Sequence, residues 1–281
     1  MVVIDAHLHF WNLETGSYPW LTPASGSIFR TFAPPEVLPQ LDAAGVDRVV
    51  LVQAADTYAD TDAMLAQADA HDDVIAAVVG WVPLNRPDEA AGALERYAAH
   101  PKFAGVRHLI HDESDPDWVV QDAVIEGLGL LAEAGLPFDV VAVLPRHLEH
   151  VPVLAERVPG LRMVIDHLAK PPIREKGWEP WASLLARAAE CPGVYAKVSG
   201  LNTAADPETW TAEDLRPYVD HALGIFGPER LMFGGDWPVA TLAGDYAKVW
   251  RETGVLLRDL PDTERAAVLG GTAARFYGIG S

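Results

Sequence analysis

The chain has 281 residues, and 40 Asp and Glu against 21 Lys and Arg give it a formal charge of −19. A surface this acidic repels phosphate backbones and anionic lipid headgroups, which argues against a nucleic-acid partner and against membrane binding. The single cysteine, Cys191, excludes an internal disulfide framework and favours a reducing compartment. Neither a secretory signal nor an apolar run long enough to span a bilayer is visible, so we expect a cytoplasmic protein.

The first predicted element is a short apolar strand that starts at Val2 and ends in two histidines, His7 and His9. Successive side chains of a strand point to opposite faces, so histidines spaced i, i+2 point the same way. Two imidazoles at the end of a strand can hold a divalent metal ion or polarise a carbonyl group. Alone, the spacing is equally compatible with two polar residues that open a loop, so the later strands must decide.

Helical patterns and short apolar strands alternate along the rest of the chain. The predicted strands after the first are residues 48–53, 74–79, 103–108, 138–143, 162–167, 194–199 and 231–236. The predicted helices are residues 34–44, 61–70, 87–99, 146–157, 178–190 and 215–226, with a further helix inside residues 118–134 and two helical stretches that close the chain. Eight apolar strands separated by helices indicate an α/β fold, a (β/α)8 TIM barrel that forms a single domain over residues 1–281. A doubly wound open sheet is the alternative, although no Gly-x-Gly-x-x-Gly motif follows the first strand.

The ends of the predicted strands carry the polar groups that suit chemistry. In a barrel, catalytic groups lie at the carboxyl ends of the strands. The first strand ends in His7 and His9, the fourth carries Arg107, the sixth ends at His167 and the eighth at Asp236. We therefore expect three imidazoles and a carboxylate at one mouth. They could hold one divalent ion with an open position, or the carboxylate could activate water while imidazoles polarise a carbonyl.

Six motifs follow one another in order along the chain. They are IDAHLHFW (residues 4–11), GVRH (105–108), DHLAKP (166–171), KVSGL (197–201), GGDWP (234–238) and LGGTAARFY (269–277). This ordered set resembles the amidohydrolase superfamily, of the amidohydrolase-2 type, in the branch of sugar-lactone and 2-pyrone-4,6-dicarboxylate lactonases. The resemblance covers nearly the whole chain. It implies a hydrolase that opens a lactone ring, with a sugar-acid lactone as the first candidate.

The resemblance also implies roles for the residues at the mouth. Asp236 matches the carboxylate that takes a proton from the attacking water, and Arg107 matches an arginine that orients the substrate. His7, His9 and His167 match groups that hold a metal ion together with Asp236, or that polarise the lactone carbonyl directly. Many relatives bridge two metals with a lysine of the fourth strand, where this chain has Arg107. The resemblance therefore implies at most one divalent ion, with zinc as the first candidate, and a metal-independent reaction stays open.

Aromatic residues near the strand ends are candidates for substrate contact. The candidates are Trp11, Trp20, Trp81 and Trp237, which could stack on a sugar ring, and Lys170, which follows His167. The expected partner is a small-molecule lactone, and whether the chain is a monomer or a homo-oligomer is open. Two other functions remain: a metal-dependent non-oxidative decarboxylase of the same superfamily, and a non-catalytic ligand-binding barrel.

Several further charged residues and histidines are assigned no chemistry. Asp139 and Lys197 interrupt apolar strands, and because buried charges need partners we expect a structural ion pair between them. His108 should face away from Arg107 and pack. The other histidines, including His111 in a loop, are expected at the surface.

Overall fold

Eight parallel strands form the centre of the structure. The computed structural model describes residues 2–280. The strands are Ile4–Leu8 (β1), Arg48–Val52 (β2), Ile75–Gly80 (β3), Phe103–His108 (β4), Phe138–Val140 (β5), Met163–Ile165 (β6), Val194–Val198 (β7) and Leu231–Phe233 (β8). Each strand pairs in parallel with the next in chain order. The predicted (β/α)8 barrel is confirmed.

The barrel closes between its first and last strands. Leu8 forms a parallel bridge with Trp237. The backbone N–H of Asp236 donates to the carbonyl of His7 at 2.8 Å, and the N–H of His9 donates to the carbonyl of Trp237 at 2.8 Å. Because β1 is joined in this way to the segment that directly follows β8, the open doubly wound sheet is excluded.

Helices follow the strands along the chain and surround the barrel. They are Pro34–Ala44 (α1), Tyr58–Ala70 (α2), Pro87–Ala98 (α3), Asp122–Glu133 (α4), Pro145–Arg157 (α5), Trp181–Ala189 (α6), Ala212–Phe226 (α7), Tyr246–Leu257 (α8), Asp262–Ala266 (α9) and Thr272–Tyr277 (α10). Among residues 2–280, no helix combines the length and the apolar character needed to cross a membrane.

Three strands end two or three residues before the end that the sequence pattern predicted. β5 ends at Val140 and β8 at Phe233, each three residues before the predicted end. β6 ends at Ile165, two residues before the predicted end. The chain turns away from the sheet at those points, through a left-handed turn after β6 and through Gly234 and Gly235 after β8. The apolar pattern continues past the last ladder bond because these residues stay buried, so hydrophobicity alone could not locate the strand ends.

Two apolar layers hold the barrel together. The larger one lies between the sheet and the helices. The smaller one gathers alternate residues of neighbouring strands, including Val50, Val52 and Val79, and Phe276 and Tyr277 of α10 pack against it. Alternation of this kind is what the filled interior of a barrel requires.

One buried carboxylate joins β1 to β8 and to α8. Asp5 is fully buried, and its Oδ1 accepts hydrogen bonds from the backbone N–H groups of Gly235 at 2.8 Å and of His7 at 3.0 Å. Its Oδ2 accepts a hydrogen bond from the hydroxyl of Tyr246 at 2.8 Å. Burial raises the pKa of Asp5 to about 6 in spite of these three donors. The seam of the barrel therefore depends on full hydrogen bonding of this group.

We expect Tyr246→Phe to lower the free energy of unfolding by about 1–3 kcal/mol, because it leaves a buried acceptor of Asp5 without its donor. Urea denaturation of wild type and variant measures the change. Tyr195→Phe is the control, since the half-buried Tyr195 hydroxyl has no hydrogen bond within residues 2–280, and its change should stay within about 0.5 kcal/mol. Equal losses in the two variants would contradict the role given to Asp5.

Candidate active site

The two histidines of the first motif lie side by side at the carboxyl end of β1. The Nε2 atoms of His7 and His9 are 3.0 Å apart, and both side chains are buried. His9 Nδ1 lies 2.7 Å from the carbonyl oxygen of Val52. A carbonyl only accepts, so His9 carries its proton on Nδ1 and turns the lone pair of Nε2 towards His7.

Asp236 completes the group from the loop after β8. Its Oδ1 lies 3.6 Å from His9 Nε2, 3.8 Å from His7 Nε2 and 3.9 Å from His167 Nε2. Its Oδ2 is buried and has no hydrogen-bond partner within residues 2–280. A buried carboxylate oxygen without a donor is costly unless something binds to it. This oxygen is therefore free to accept a proton from a water molecule or to bind a cation.

The surroundings of Asp236 favour its ionised form. Burial alone would raise the pKa of its carboxyl group, but the neighbouring groups, His167 first, then His9 and the ammonium group of Lys170, outweigh burial and hold that pKa well below its usual range. Burial lowers the pKa of His167 to about 3, so its imidazole is neutral at pH 7. A carboxylate base thus stands beside a neutral imidazole.

His167 sits in a turn with unusual backbone geometry. Four consecutive residues, His167 to Lys170, have φ values of 54°, 48°, 59° and 50°, and none of them is glycine. Left-handed geometry costs an L-residue about 1–2 kcal/mol. Interactions of the turn offset this cost, since His167 Nδ1 lies 2.8 Å from the hydroxyl oxygen of Ser199 and the carbonyl of Leu168 accepts a bond of 2.7 Å from the indole N–H of Trp181. Backbone strain of this kind is typical of functional sites.

A cavity of about 150 Å³ opens above these residues. Its lining is His9, Trp20, Ala54, Arg107, Leu109, His111, Val141, Val143, His167, Lys170, Asp236 and Val239. Arg107 reaches it from β4, held by a bond of 2.9 Å from Nη1 to the carbonyl of Gln53 and by an ion pair of 2.9 Å between Nε and Asp166. Lys170 donates to the hydroxyl of Thr203 at 2.9 Å. The cavity therefore offers two cations and one carboxylate to a ligand.

Of the four predicted tryptophans, Trp20 alone lines this cavity. Trp11 packs at right angles on Trp20 and Phe32, and Trp237 packs on Phe32. Trp81 donates its indole N–H to His108 Nδ1 at 3.0 Å. Trp11, Trp81 and Trp237 do not line the cavity, because their rings contact other side chains behind the mouth. The lining of this cavity therefore does not support the predicted stacking of these three rings on a sugar.

The other predictions for single residues have mixed outcomes. Lys197 Nζ lies 2.5 Å from Asp139 Oδ2, as expected for a buried pair. His108 packs as expected, stacked on Trp118 with ring centroids 4.0 Å apart. The surface assignment of the remaining histidines was wrong for two of them, His147 and His150, which are buried.

Sequence reasoning missed residues that the structure brings to the mouth. His111 lies at the cavity rim, and Val141 and Val143 form part of its apolar wall. Asp166 contacts Arg107 and Lys197 and so ties the fourth strand to the seventh. All four residues follow a strand end within three positions, so their place in the sequence could have indicated that they lie at the mouth.

A second cavity, of about 240 Å³, lies between residues 10–34 and α2. It contains none of the residues of the histidine cluster. The carboxylate there, Asp60, is already bonded to two backbone N–H groups and to the hydroxyl of Tyr18. The smaller cavity is therefore the candidate active site.

The cluster can accommodate one metal ion. Zinc bonds to imidazole nitrogen and carboxylate oxygen are about 2.0–2.2 Å long, so tetrahedral ligand atoms stand about 3.2–3.6 Å apart. The observed separations among His7, His9 and Asp236 are 3.0, 3.6 and 3.8 Å. A second possible group, His7 with Asp166 and His167, shares His7 with the first. The donor set thus fits one ion, with the unpartnered Oδ2 of Asp236 as a further ligand atom.

Comparison with known proteins assigns the family. The amidohydrolase family model matches residues 4–279, so the chain belongs to the amidohydrolase family. Two curated relatives are L-fucono-1,5-lactonases. The one from Burkholderia ambifaria is 39% identical over 281 residues, 98% of this chain and 95% of that protein. The one from Burkholderia multivorans is 36% identical over 295 residues, 98% of this chain and 96% of that protein.

A solved structure is similar over the full length. It is an amidohydrolase from Burkholderia multivorans with bound zinc, 33% identical, with a TM-score of 0.92 and 100% of both chains covered. The family predicted from the ordered motifs is thus confirmed, and so is the prediction that the chain resembles sugar-lactone hydrolases.

Gly200 provides a test of how tightly the cluster is packed. Its φ is +58°, and a Cβ there would clash with Asp236 Oδ2 and stand 2.8 Å from His167 Nδ1. Gly45 has a similar φ of +69° with nothing within 4 Å. We expect Gly45→Ala to lose about 1–2 kcal/mol of unfolding free energy through backbone strain alone, and Gly200→Ala to lose at least about 1 kcal/mol more through the clash. Denaturant titration measures the unfolding free energy of both variants. Equal losses would show that Asp236 and His167 can move aside for the added methyl group at little cost.

Proposed function

We propose that this amidohydrolase hydrolyses the internal ester bond of a sugar-acid lactone. The observation that carries the proposal is the buried carboxylate of Asp236, whose Oδ2 lacks a partner beside three imidazoles at the base of a cavity. The curated relatives of 36–39% identity, which act on L-fucono-1,5-lactone by name, support the choice of substrate class. The ligand is accordingly a small molecule.

Asp236 serves as the base in this proposal. It takes a proton from a water molecule as the water oxygen attacks the lactone carbonyl, which gives a tetrahedral intermediate. When the bond from that carbon to the ring oxygen breaks, the protonated carboxyl of Asp236 returns the proton to the departing oxygen. The product is an open-chain hydroxy acid, and a lactone needs no stronger acid for its leaving group than this.

The cations of the cavity act on the carbonyl side. The Arg107 guanidinium is fixed by Gln53 and Asp166, so it presents a permanent charge at little entropic cost. It orients the carbonyl, and with Lys170 it favours the negative charge that develops on the carbonyl oxygen. The neutral imidazole of His167 adds a polar group on the same side.

A metal ion is compatible with these roles. His7, His9, His167 and Asp236 are the residues that would hold it, and zinc is the first candidate because the similar Burkholderia structure contains it. A bound divalent ion would polarise the carbonyl and lower the pKa of a bound water.

The walls of the cavity indicate the kind of sugar acid. One part of the cavity wall is apolar and consists of Leu109, Val141 and Val143. Another part is cationic and consists of Arg107 and Lys170. A deoxy sugar acid, with a terminal methyl group in place of a hydroxymethyl group, matches a cavity with one apolar wall. A dicarboxylate lactone would leave its second carboxylate against these aliphatic side chains, at a cost in desolvation.

The decisive experiment is an acid-release assay with a panel of aldonolactones, with and without chelator, run beside a carbon dioxide assay with aromatic acids. Release of acid from a deoxy-sugar lactone is the expected result. Carbon dioxide release would favour the decarboxylase, and neither product would favour the ligand-binding barrel.

Asp236→Asn should reduce kcat by about 10²–10⁴ with a much smaller change in KM, because it keeps the shape of the base and removes its proton affinity. Asp112→Asn, near the rim and half exposed, is the control and should keep wild-type kcat. Steady-state kinetics on the best lactone measure both. Near wild-type kcat in Asp236→Asn would remove this residue from the mechanism.

Zinc titration of chelator-treated protein should saturate at no more than one ion per chain, because the two possible ligand groups found among residues 2–280 share His7. His9→Gln should weaken zinc binding by about ten-fold or more. His111→Gln is the matched control, since His111 lines the same cavity outside both groups. Two tightly held ions measured by elemental analysis would refute the single site.

The pH dependence should have its acid limit far below neutrality. His167 has a lowered pKa of about 3 and the pKa of Asp236 is also lowered, so both keep their working protonation state as pH falls from 7 to 5. We expect kcat/KM to stay within about two-fold over that interval, since neither group gains a proton there. Lactone loss followed by proton NMR measures it. A ten-fold fall centred near pH 6 would show that a histidine with an ordinary pKa controls the rate.

A further inference from the structure

A buried lysine lies directly beneath the histidine cluster. Lys197 of β7 is fully buried, and its Nζ lies 3.0 Å from His7 Nδ1 with hydrogen-bonding geometry. The same nitrogen is 2.5 Å from Asp139 Oδ2 and 3.1 Å from Asp166 Oδ1. The Lys197 ammonium group has three donors and no acceptor, so it can donate to His7 Nδ1 and to both carboxylates.

Lys197, His7, His9 and the carbonyl of Val52 form a chain of hydrogen bonds, and donors and acceptors along this chain can be assigned in one way only. At one end the Lys197 ammonium must donate to His7 Nδ1, and at the other end the carbonyl of Val52 must accept from His9 Nδ1. Between them, the two Nε2 atoms are 3.0 Å apart. With neutral rings, the proton of His7 is therefore on Nε2 and points at the lone pair of His9 Nε2.

This arrangement opposes a metal ligand at His7. A metal bound at Nε2 needs a lone pair there, so the ring proton must move to Nδ1. The acceptor for that proton would be Asp166 Oδ1, which lies 3.3 Å from His7 Nδ1. A proton on Nδ1 would also face the Lys197 ammonium at 3.0 Å.

We propose that Lys197 is a positioning residue that fixes the tautomer of His7 with its proton on Nε2, and that it thereby weakens binding of a divalent ion to the cluster. An ion can take His7 and His9 as ligands only if the ammonium gives up its bond to His7 Nδ1 and Asp166 accepts the displaced proton. The proposal does not rest on the lactonase reaction, because both tests below are made without substrate.

The first test measures the tautomer in the wild-type protein. Histidine labelled with nitrogen-15 is introduced, metal is removed with a chelator, and long-range proton–nitrogen correlation spectra are recorded. His7→Gln and His9→Gln assign the two signals. We expect His7 to be protonated on Nε2 and His9 on Nδ1, so one spectrum contains both tautomers. A His7 ring protonated on Nδ1 would overturn the proposal.

The second test measures zinc affinity. Lys197→Met combined with Asp139→Asn removes one positive and one negative charge together, so that no buried carboxylate loses its only cation: Asp166 keeps Arg107. We expect the double variant to bind zinc about ten-fold or more tightly than wild type, in competition with a chromophoric chelator. Mere disruption of the site would weaken binding instead.

Tyr277→Phe is the control for the second test. Its hydroxyl donates to Asp139 at 2.8 Å, so it disturbs the same charge cluster and leaves the Lys197–His7 bond in place. Its zinc affinity should stay within about two-fold of wild type. Unchanged or weaker zinc binding in the double variant would overturn the proposal. If the double variant does not fold, the wild-type tautomer alone decides.

Discussion

The seam between the first and last strands is the constraint on which the rest of this structure depends. The backbone bonds that close the barrel run from Asp236 to His7 and from His9 to Trp237. These are the bonds that set the catalytic carboxylate of the proposal beside its two histidines. The contacts that close the barrel are therefore also the contacts that assemble the cluster. Asp5 reinforces the seam from behind, because it bonds the backbone on both sides of it.

Buried charge is the second theme of the site. Lys197, Asp139, Asp166 and Arg107 are all removed from water, and each is paired. Taking charges out of water costs several kcal/mol per ion, and pairing seldom does more than offset it. An apolar core is often as stable as a set of buried ion pairs, so their contribution to stability is small. In the proposal above, the Lys197 ammonium supplies direction, because it determines which ring nitrogen of His7 carries the proton.

The barrel could be predicted from the sequence because apolar strand patterns alternate with helical patterns, and this alternation occurs eight times along the chain. The sequence also predicted that His7, His9, His167 and Asp236 meet, since the carboxyl ends of parallel strands share one mouth. Strand ends after β6 and β8 could not be predicted, because buried loop residues look like buried strand residues. The sequence analysis also predicted substrate contacts for Trp11, Trp81 and Trp237, which do not line the cavity. Proximity to a strand end in the sequence does not show whether a side chain faces the cavity or packs behind it. The role of Asp166 needed three-dimensional contacts to strands four and seven.

The left-handed turn that carries His167 has a consequence for engineering. At Ala169 a glycine would relax the left-handed backbone, whereas at Leu168 it would also remove a fully buried side chain, so selection for heat tolerance would favour the change at Ala169 on conformational grounds. The same change would give the loop new conformations in the unfolded and folded states, and the imidazole would lose its fixed orientation. Thermal robustness and turnover are thus set against each other within one stretch of four residues, and libraries built around this barrel should leave that stretch unvaried.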